Sequence, residues 1–353
     1  MRRASQQTLQ RADRVEALRT LLKNTTLRAA VALLLAIFCG CLLSACGSDS
    51  PGSAQALLDE TFSGHNQIES GNVKLSFALG AGGSGTQTKS LAVTLSGPFE
   101  SAGTGKLPRF ALQLQLGAAG HSLQAGATST GSALFVQLAG TWFSTPSSTY
   151  KALEASYAQA TKKASSAKVR STFSSLGIEP GRWLSNPTKA GTVTVGGEAT
   201  IHLIAAVDIP AFLADVSKLS QAGSSLGLDS VPGASSAGGT LSSSVIDELA
   251  KSIKSAHVDV YTGASDHMLR RLEIIAAITG TPQTQGLFDG LNSANLTVQL
   301  EFTDLNKKQT ISAPANAEPP TQLLPALQQL VGVLEGTSGS GTSSGTLEEL
   351  SGG

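Results

Sequence analysis

Apolar and polar residues alternate along most of this chain with a period of two. In FALQLQL, Phe110, Leu112, Leu114 and Leu116 fall on one side and Ala111, Gln113 and Gln115 on the other, the pattern of a half-buried strand. The same alternation recurs in VKLSFAL (Val73, Leu75, Phe77, Leu79), SLAVTL (Leu91, Val93, Leu95), ALFVQL (Leu134, Val136, Leu138) and NLTVQLEF (Leu296, Val298, Leu300, Phe302). Further strands fit TVTVGG, TIHLIAAVDI, HVDVYTG and RLEIIAAI. Short Gly-rich connections predict antiparallel neighbours, and about nine strands in a meander form a sheet large enough to curl.

Helical spacing interrupts this series instead of alternating with it. From Ser148 to about Leu176, Tyr150, Leu153, Tyr157, Ala160 and Ala164 form one apolar stripe. IPAFLADVSKLS opens on a proline, tolerated in a first turn, and lines up Phe212, Val216 and Leu219. Ser244 with Asp247 three residues on reads as a capping box for a helix whose apolar face is Val245, Leu249 and Ile253. Strands, a long helix, strands, helices and more strands give an α+β order. Each stripe reads as core packing, not as a cofactor site.

Only one run is strongly apolar, AAVALLLAIFCGCLL from Ala29 to Leu43. A bilayer-spanning helix needs roughly 20 apolar residues, and this run is shorter. Before it stand Arg2, Arg3, Arg11, Arg14, Arg19, Lys23 and Arg28 against only Asp13 and Glu16, the cationic flank of a secretory signal. After it, Leu43-Ser44-Ala45-Cys46 resembles the bacterial lipobox, whose cysteine is diacylated before cleavage and becomes the new N-terminus. The alternatives are an ordinary secretory signal with a chance cysteine and a short uncleaved anchor. On the lipobox reading residues 1–45 are a signal peptide, Cys46 is the lipidation site, and the protein sits on the extracytoplasmic side of the cell membrane.

Cleavage would remove Cys39 and Cys41 with the apolar run, leaving no pair for a disulfide and no CxxC metal site. The whole chain balances 25 Lys+Arg against 25 Asp+Glu. Losing seven cations and two carboxylates with the leader turns the remainder mildly acidic, which argues against a nucleic-acid partner. Residues 46–56, beginning CGSDSPGSAQ, read as a flexible tether. Residues 221–244, QAGSSLGLDSVPGASSAGGTLSSS, read as a linker or as a mobile loop of the flap or lid kind. Residues 316–353 read as a short helix and a disordered Gly/Ser tail.

Motifs of catalysis fail on context. Gly80, Gly82 and Gly85 fit GxGxxG after a strand, but TQTKSLAVTL is another strand, so no helix N-terminus follows to hold a pyrophosphate. GSSLG (223–227) and GTSSG (341–345) fit GxSxG only inside low-complexity sequence, without the strand and helix of a nucleophile elbow. His65, His121, His202, His257 and His267 are scattered, and His202 falls on the polar face of its strand, as a solvated or hydrogen-bonded side chain. Asp247 and Glu248 read as helix-start charges, and Asp259 and Asp266 as flanking a strand end. The expectation is a non-enzyme without catalytic residues, cofactor or metal; a hydrolase using Ser224 or Ser225 of the long loop is the weaker alternative.

Taken with the lipobox and tether, the segments LFVQLAGTWFSTP, VTVGGEATIHLIAAVDIPAFL and DVYTGASDHMLRRLEI make the chain resemble the actinobacterial LppX/LprAFG lipoproteins, over roughly Leu57 to Pro314. The 221–244 loop and TQLLPALQQLVGVLEG have no counterpart in that pattern. The resemblance implies a LolA/LolB-like domain over residues 57–315: a strongly curved antiparallel sheet, a half-barrel, with helices packed across its concave face. It also implies an apolar cavity for the acyl chains of a lipid or glycolipid moving through the cell envelope. The strand face expected to line it carries Val73, Leu75, Phe77, Phe110, Leu112, Leu114, Val298 and Leu300. A structural or interaction lipoprotein with a filled core is the alternative, since periodicity alone does not separate a lined cavity from a packed core.

Overall fold

The structure, a computed structural model, describes residues 53–62, 68–82, 89–103, 105–118, 121–138, 140–166, 180–215, 243–282, 292–323 and 325. Eleven strands form one open antiparallel sheet: β1 Ser70–Gly82, β2 Lys89–Glu100, β3 Arg109–Ala118, β4 His121–Ser129, β5 Leu134–Leu138, β6 Thr141–Ser144, β7 Leu184–Val195, β8 Glu198–Val207, β9 Ile253–Gly263, β10 Leu269–Thr279 and β11 Ser293–Thr303. Their spatial order is β6-β5-β4-β3-β2-β1-β11-β10-β9-β8-β7. The sheet is thus two meanders, β1–β6 and β7–β11, joined where the first strand pairs with the last. The sheet is a strongly curved half-barrel, with the helices across its concave face.

The period-two pattern sets the register. Leu203, Val260, Leu272, Leu300, Leu75, Leu95, Leu114, Ala125 and Leu138 are successive cross-strand partners from β8 to β5, an unbroken apolar row on one face. The next row holds Ala205, Val258, Ile274, Val298, Phe77, Val93 and Leu116. A one-residue slip anywhere would turn these rows outward. Between the paired positions Ser96/Gln113 and Phe99/Phe110 the β2–β3 ladder is interrupted. Gly97 stands there at φ +150°, where a Cβ would collide with the Ala111 carbonyl oxygen; a close backbone approach of this kind admits only glycine.

Among the described residues, helices α1 Ala54–Phe62, α2 Ser147–Ser166, α3 Pro180–Trp183 and α4 Ser243–Ser252 flank the sheet, with further helical stretches at 209–215 and 320–323. α1 packs on β7, β9 and α3, burying Leu57, Leu58 and Phe62. Trp183 and Phe212 meet edge to face at 5.2 Å. On the opposite flank α2 lies on β5, with Tyr150 and Tyr157 buried against Leu107 and packed by Leu134 and Leu153.

Several boundaries differ from the sequence reading. β4 and β6 join the expected strands. α1 begins at Ala54, inside the stretch read as tether. α4 starts at Ser243, so Ser244 is inside the helix and not its cap, and Ile253 opens β9 instead of ending the helical stripe. Asp259 lies in the middle of β9. The α2 helix is described to Ser166, and the expected continuation toward Leu176 lies outside the described residues, as do residues 1–52, Val216, Leu219, the 221–242 part of the long loop and the tail beyond 325.

The two sheet edges differ. β6 is short, and its outer side is covered by the C-terminal segment: Ser144 N–H donates to the Glu318 carbonyl at 2.9 Å and Glu318 N–H to that of Trp142 at 2.8 Å. β7 is long and almost wholly exposed, but carries Pro187, Lys189 and two register shifts, features that blunt strand addition.

Candidate functional site

The concave face is built from strand positions alone. The paired rows running from Leu203 to Leu138 and from Ala205 to Leu116 hold no charged residue; Lys89, the partner of Ala81, and His121, the partner of Ala118, fall at inward register positions where β2 and β4 begin. All eight residues expected from the sequence fall on the concave face. Val73, Leu75, Phe110, Leu112 and Leu300 are buried, and Phe77, Leu114 and Val298 are half-buried against the same core. Two central strands show a gradient: along β1, Val73 and Leu75 are covered while Phe77 and Leu79 are partly open, and along β11 Phe302 and Leu300 are covered while Val298 and Leu296 are partly open, whereas the inward residues Leu91, Val93 and Leu95 of β2 and Leu272, Ile274 and Ala276 of β10 are buried throughout.

This gradient distinguishes two ends of the half-barrel. At the end where β1 begins and β11 finishes, the chain leaving β11 folds back over the sheet. Asn306 N–H donates to the Ser70 carbonyl at 2.8 Å, Ser70 Oγ to the Lys307 carbonyl at 2.7 Å, and Arg109 Nη2 to the Ile311 carbonyl at 3.0 Å. Leu305 and Ile311 are buried there, and Phe99 meets Phe302 edge to face at 6.2 Å. We call this the closed end. The opposite, open end carries the β1–β2 hairpin, the β3–β4 turn and the β10–β11 connection.

Chemically, such rows of aliphatic and aromatic side chains can exclude water and hold apolar groups. The polar chemistry is on the convex side, where His202, Tyr261, Arg271 and Glu301 are successive cross-strand neighbours. The His202 ring stacks on Tyr261 at 4.4 Å and 8°. Its Nε2 lies 2.6 Å from Asp259 Oδ1, and His257 Nε2 lies 3.6 Å from the other carboxylate oxygen. The Arg271 guanidinium sits 5.4 Å from the centre of the Tyr261 ring, and its Nη2 is 2.6 Å from Glu301. Burial, with the Asp259 and Glu273 carboxylates, pushes the Tyr261 hydroxyl up, partly opposed by Arg271. Burial likewise raises the Tyr150 hydroxyl, with the charge of Glu154 adding to the shift. His202 is therefore the hydrogen-bonded residue that its strand position predicts. Among the described residues, no group of three His, Cys, Asp or Glu side chains is placed to hold a metal ion.

The Gly80–Gly82 part of the GxGxxG match lies in the last turn-ward residues of β1, which pairs directly with β2 as a hairpin. Both GxSxG matches, Ser224, Ser225 and Cys46 lie outside the described residues. Sequence reasoning missed α1. Its signal is present in SAQALLDETF: Ser53 Oγ accepts from Ala56 N–H at 3.1 Å as an N-cap, and Leu58 and Phe62 recur at helical spacing with Asp59 and Glu60 beside them. Among the described residues no helix is long and apolar enough to cross a membrane.

No family model matches the chain, and no curated protein matches it in sequence. Among solved structures it is similar to that of LprF from Mycobacterium bovis, at 13% identity and a TM-score of 0.38 over 76% of this chain and 100% of that one. It is also similar to the lipoprotein LppX from Mycobacterium tuberculosis, at 11% identity and a TM-score of 0.27, covering 73% and 98%. A LolA superfamily protein from Nitrosomonas europaea follows at 9% identity and a TM-score of 0.17, covering 74% and 96%. These values are too low for the likenesses to carry a functional argument, which rests on the apolar rows of the sheet itself.

Proposed function

We propose that this chain is a lipoprotein, anchored to the outer side of the cell membrane through acylated Cys46, that takes the acyl chains of a lipid or glycolipid onto its concave face and serves their transfer through the cell envelope. The observation that carries this reading is the unbroken apolar row spanning nine strands, with part-open apolar residues beside it on β1 and β11. Partition of an acyl chain onto such a surface yields roughly 0.8 kcal/mol per buried CH₂ and needs only an apolar concavity with a few polar groups at its mouth. No cofactor or catalytic residue is required. The cationic leader, the short apolar run and the LSAC sequence support the anchor.

The test is native mass spectrometry of a soluble form lacking residues 1–46. Lipid should co-purify, and should be lost in Val298→Asp, which places a charge on the half-buried inward face, but not in Ala92→Asp on the exposed convex side of β2. A compact protein that carries no lipid in any form defeats the proposal. The full burial of Leu75 and Val93 favours the second reading, an interaction lipoprotein with a filled core. That reading expects Val298→Asp to lower stability with no lipid to lose.

A further inference from the structure

The two ends of the half-barrel differ in charge as well as in closure. Within the terminal three residues of each strand, the closed end carries Glu100, Arg109, Glu198, Arg270, Arg271 and Glu301. The flanking turns add ion pairs: Arg270 Nη2 contacts Glu198 at 2.6 Å and Asp266 at 2.7 Å, His267 Nδ1 lies 2.8 Å from Glu60, and Lys307 Nζ lies 3.0 Å from Asp304. The same three positions at the open end contain no carboxylate in any of the eleven strands, and their only Lys or Arg residues are Lys89 and Lys254. Just beyond them, the Asp208 carboxylate is occupied as the cap that accepts from Ala211 N–H at 3.0 Å, Glu248 pairs with Lys251 at 2.8 Å, and Asp247 stands exposed on α4.

The direction of α1 is a second, independent observation. Its C-terminal turn is fixed toward the closed end, where Thr61 Oγ1 donates to Thr262 Oγ1 at 2.9 Å and Glu60 meets His267. The helix also packs on α3, which leads into β7 at the open end. Its N-terminus therefore points toward the open end. Only seven residues separate Cys46 from Ala54, a reach of at most about 28 Å even when fully extended.

From these we infer that the open end of the half-barrel faces the bilayer, docking its carboxylate-free strand ends and half-buried apolar residues against the membrane that holds the anchor. A bilayer surface rich in phosphate accepts lysines and apolar side chains and repels carboxylates, and the reverse orientation would press the charged closed end onto it. This inference rests on the proposed Cys46 anchor, and it adds that cargo would pass between bilayer and concave face without crossing bulk water.

The experiment uses the full chain, expressed in a host that acylates lipoproteins and reconstituted in phosphatidylethanolamine and phosphatidylglycerol vesicles containing a nitroxide-labelled lipid. Single cysteines carrying bimane are introduced by Ser122→Cys and Ser293→Cys at the open end and by Ser132→Cys and Lys308→Cys at the closed end, all at exposed positions. With Cys39 and Cys41 removed with the leader and Cys46 acylated, each is the sole free thiol. Quenching should be several-fold stronger at residues 122 and 293 than at 132 and 308. Equal quenching, or the opposite order, overturns the orientation. Mass analysis of the N-terminal peptide separates the two failures: acylated Cys46 with the wrong quenching order sinks the docking alone, whereas absence of the acyl mass sinks the anchor and the docking with it.

Discussion

Arg270 stands at the second position of β10 and is 5% exposed. Besides Glu198 and Asp266 it donates from Nη1 to the Met268 carbonyl at 3.3 Å, tying the β9–β10 turn to the start of β8. Gly263 makes this possible, because a Cβ there would collide with the Asp266 carboxylate and lie 3.4 Å from Arg270 Cζ. Arg270→Met keeps the apolar stem and deletes the charge, leaving two carboxylates facing each other without their cation. Since these are about a third exposed, water offsets part of the loss, and we expect destabilisation of about 2–3 kcal/mol in urea unfolding. Tyr261 yields a pH prediction. Its hydroxyl titrates above the usual tyrosine value of 10.0, so the folded state holds the proton more tightly than the unfolded chain. The stability this contributes is complete below pH 10 and is lost as pH rises through the folded value. Tyr261→Phe should accordingly lose less thermal stability than the parent between about pH 8 and about pH 11; parallel curves would show that the shift has no energetic weight.

Elements were legible from the sequence where side-chain contrast was large and illegible where it was not. β1, β3 and β11 place Leu, Val and Phe inward against Lys, Gln, Ser and Thr outward, and their inward residues are the ones the structure finds facing the core. β4, HSLQAGATS, pairs Ala125 and Ala127 with Leu114 and Leu112, so its inward positions include alanines whose apolar signal is weak. β6 has only four residues, too few for a period to show. Nor does local pattern encode the β1–β11 pairing, a long-range contact whose partners lie more than 200 residues apart. The same limit applies to the site: period two identified the inward face, but covered and open positions on it are separated by which helices and C-terminal residues lie above. α1 is the clearest case, a nine-residue helix too short to be stable alone and held by its buried face. Leu58, 0% exposed, should cost roughly 2–5 kcal/mol on truncation to alanine, measurable as a lower urea midpoint. If Leu58→Ala were neutral, α1 would be an appendage and its direction would say nothing about how the chain enters.

At the scale of the molecule, the topology explains why one face remains available. Because β1 and β11 meet in the middle, the only sheet-to-sheet connection between the two meanders, residues 145–183, starts at the β6 edge and ends at the β7 edge. It carries α2 and α3 and has to travel the full width of the sheet. Eleven strands at about 4.8 Å spacing make an arc of about 50 Å, whereas the 20 residues of α2 cover only about 30 Å. α2 and α3 therefore serve opposite flanks, α2 over β5 and α3 beside β7 with α1, and the central strands keep half-buried Phe77, Leu79, Leu296 and Val298 toward the open end. A face of this kind should bind saturated fatty acids with an affinity that rises with chain length. Each added CH₂ is worth about 0.8 kcal/mol, or about fourfold in Kd, as long as it finds apolar surface to cover. On β1 the part-open inward positions are Phe77 and Leu79, about 7 Å apart at about 3.3 Å per residue, so the rise should flatten once the alkyl tail outruns the uncovered positions of the central strands. Titration calorimetry of a soluble form lacking residues 1–46 measures the slope, with a negative heat-capacity change as the mark of apolar burial. Affinity that does not change with chain length would mean that the tails lie elsewhere and that the concave face is a filled core.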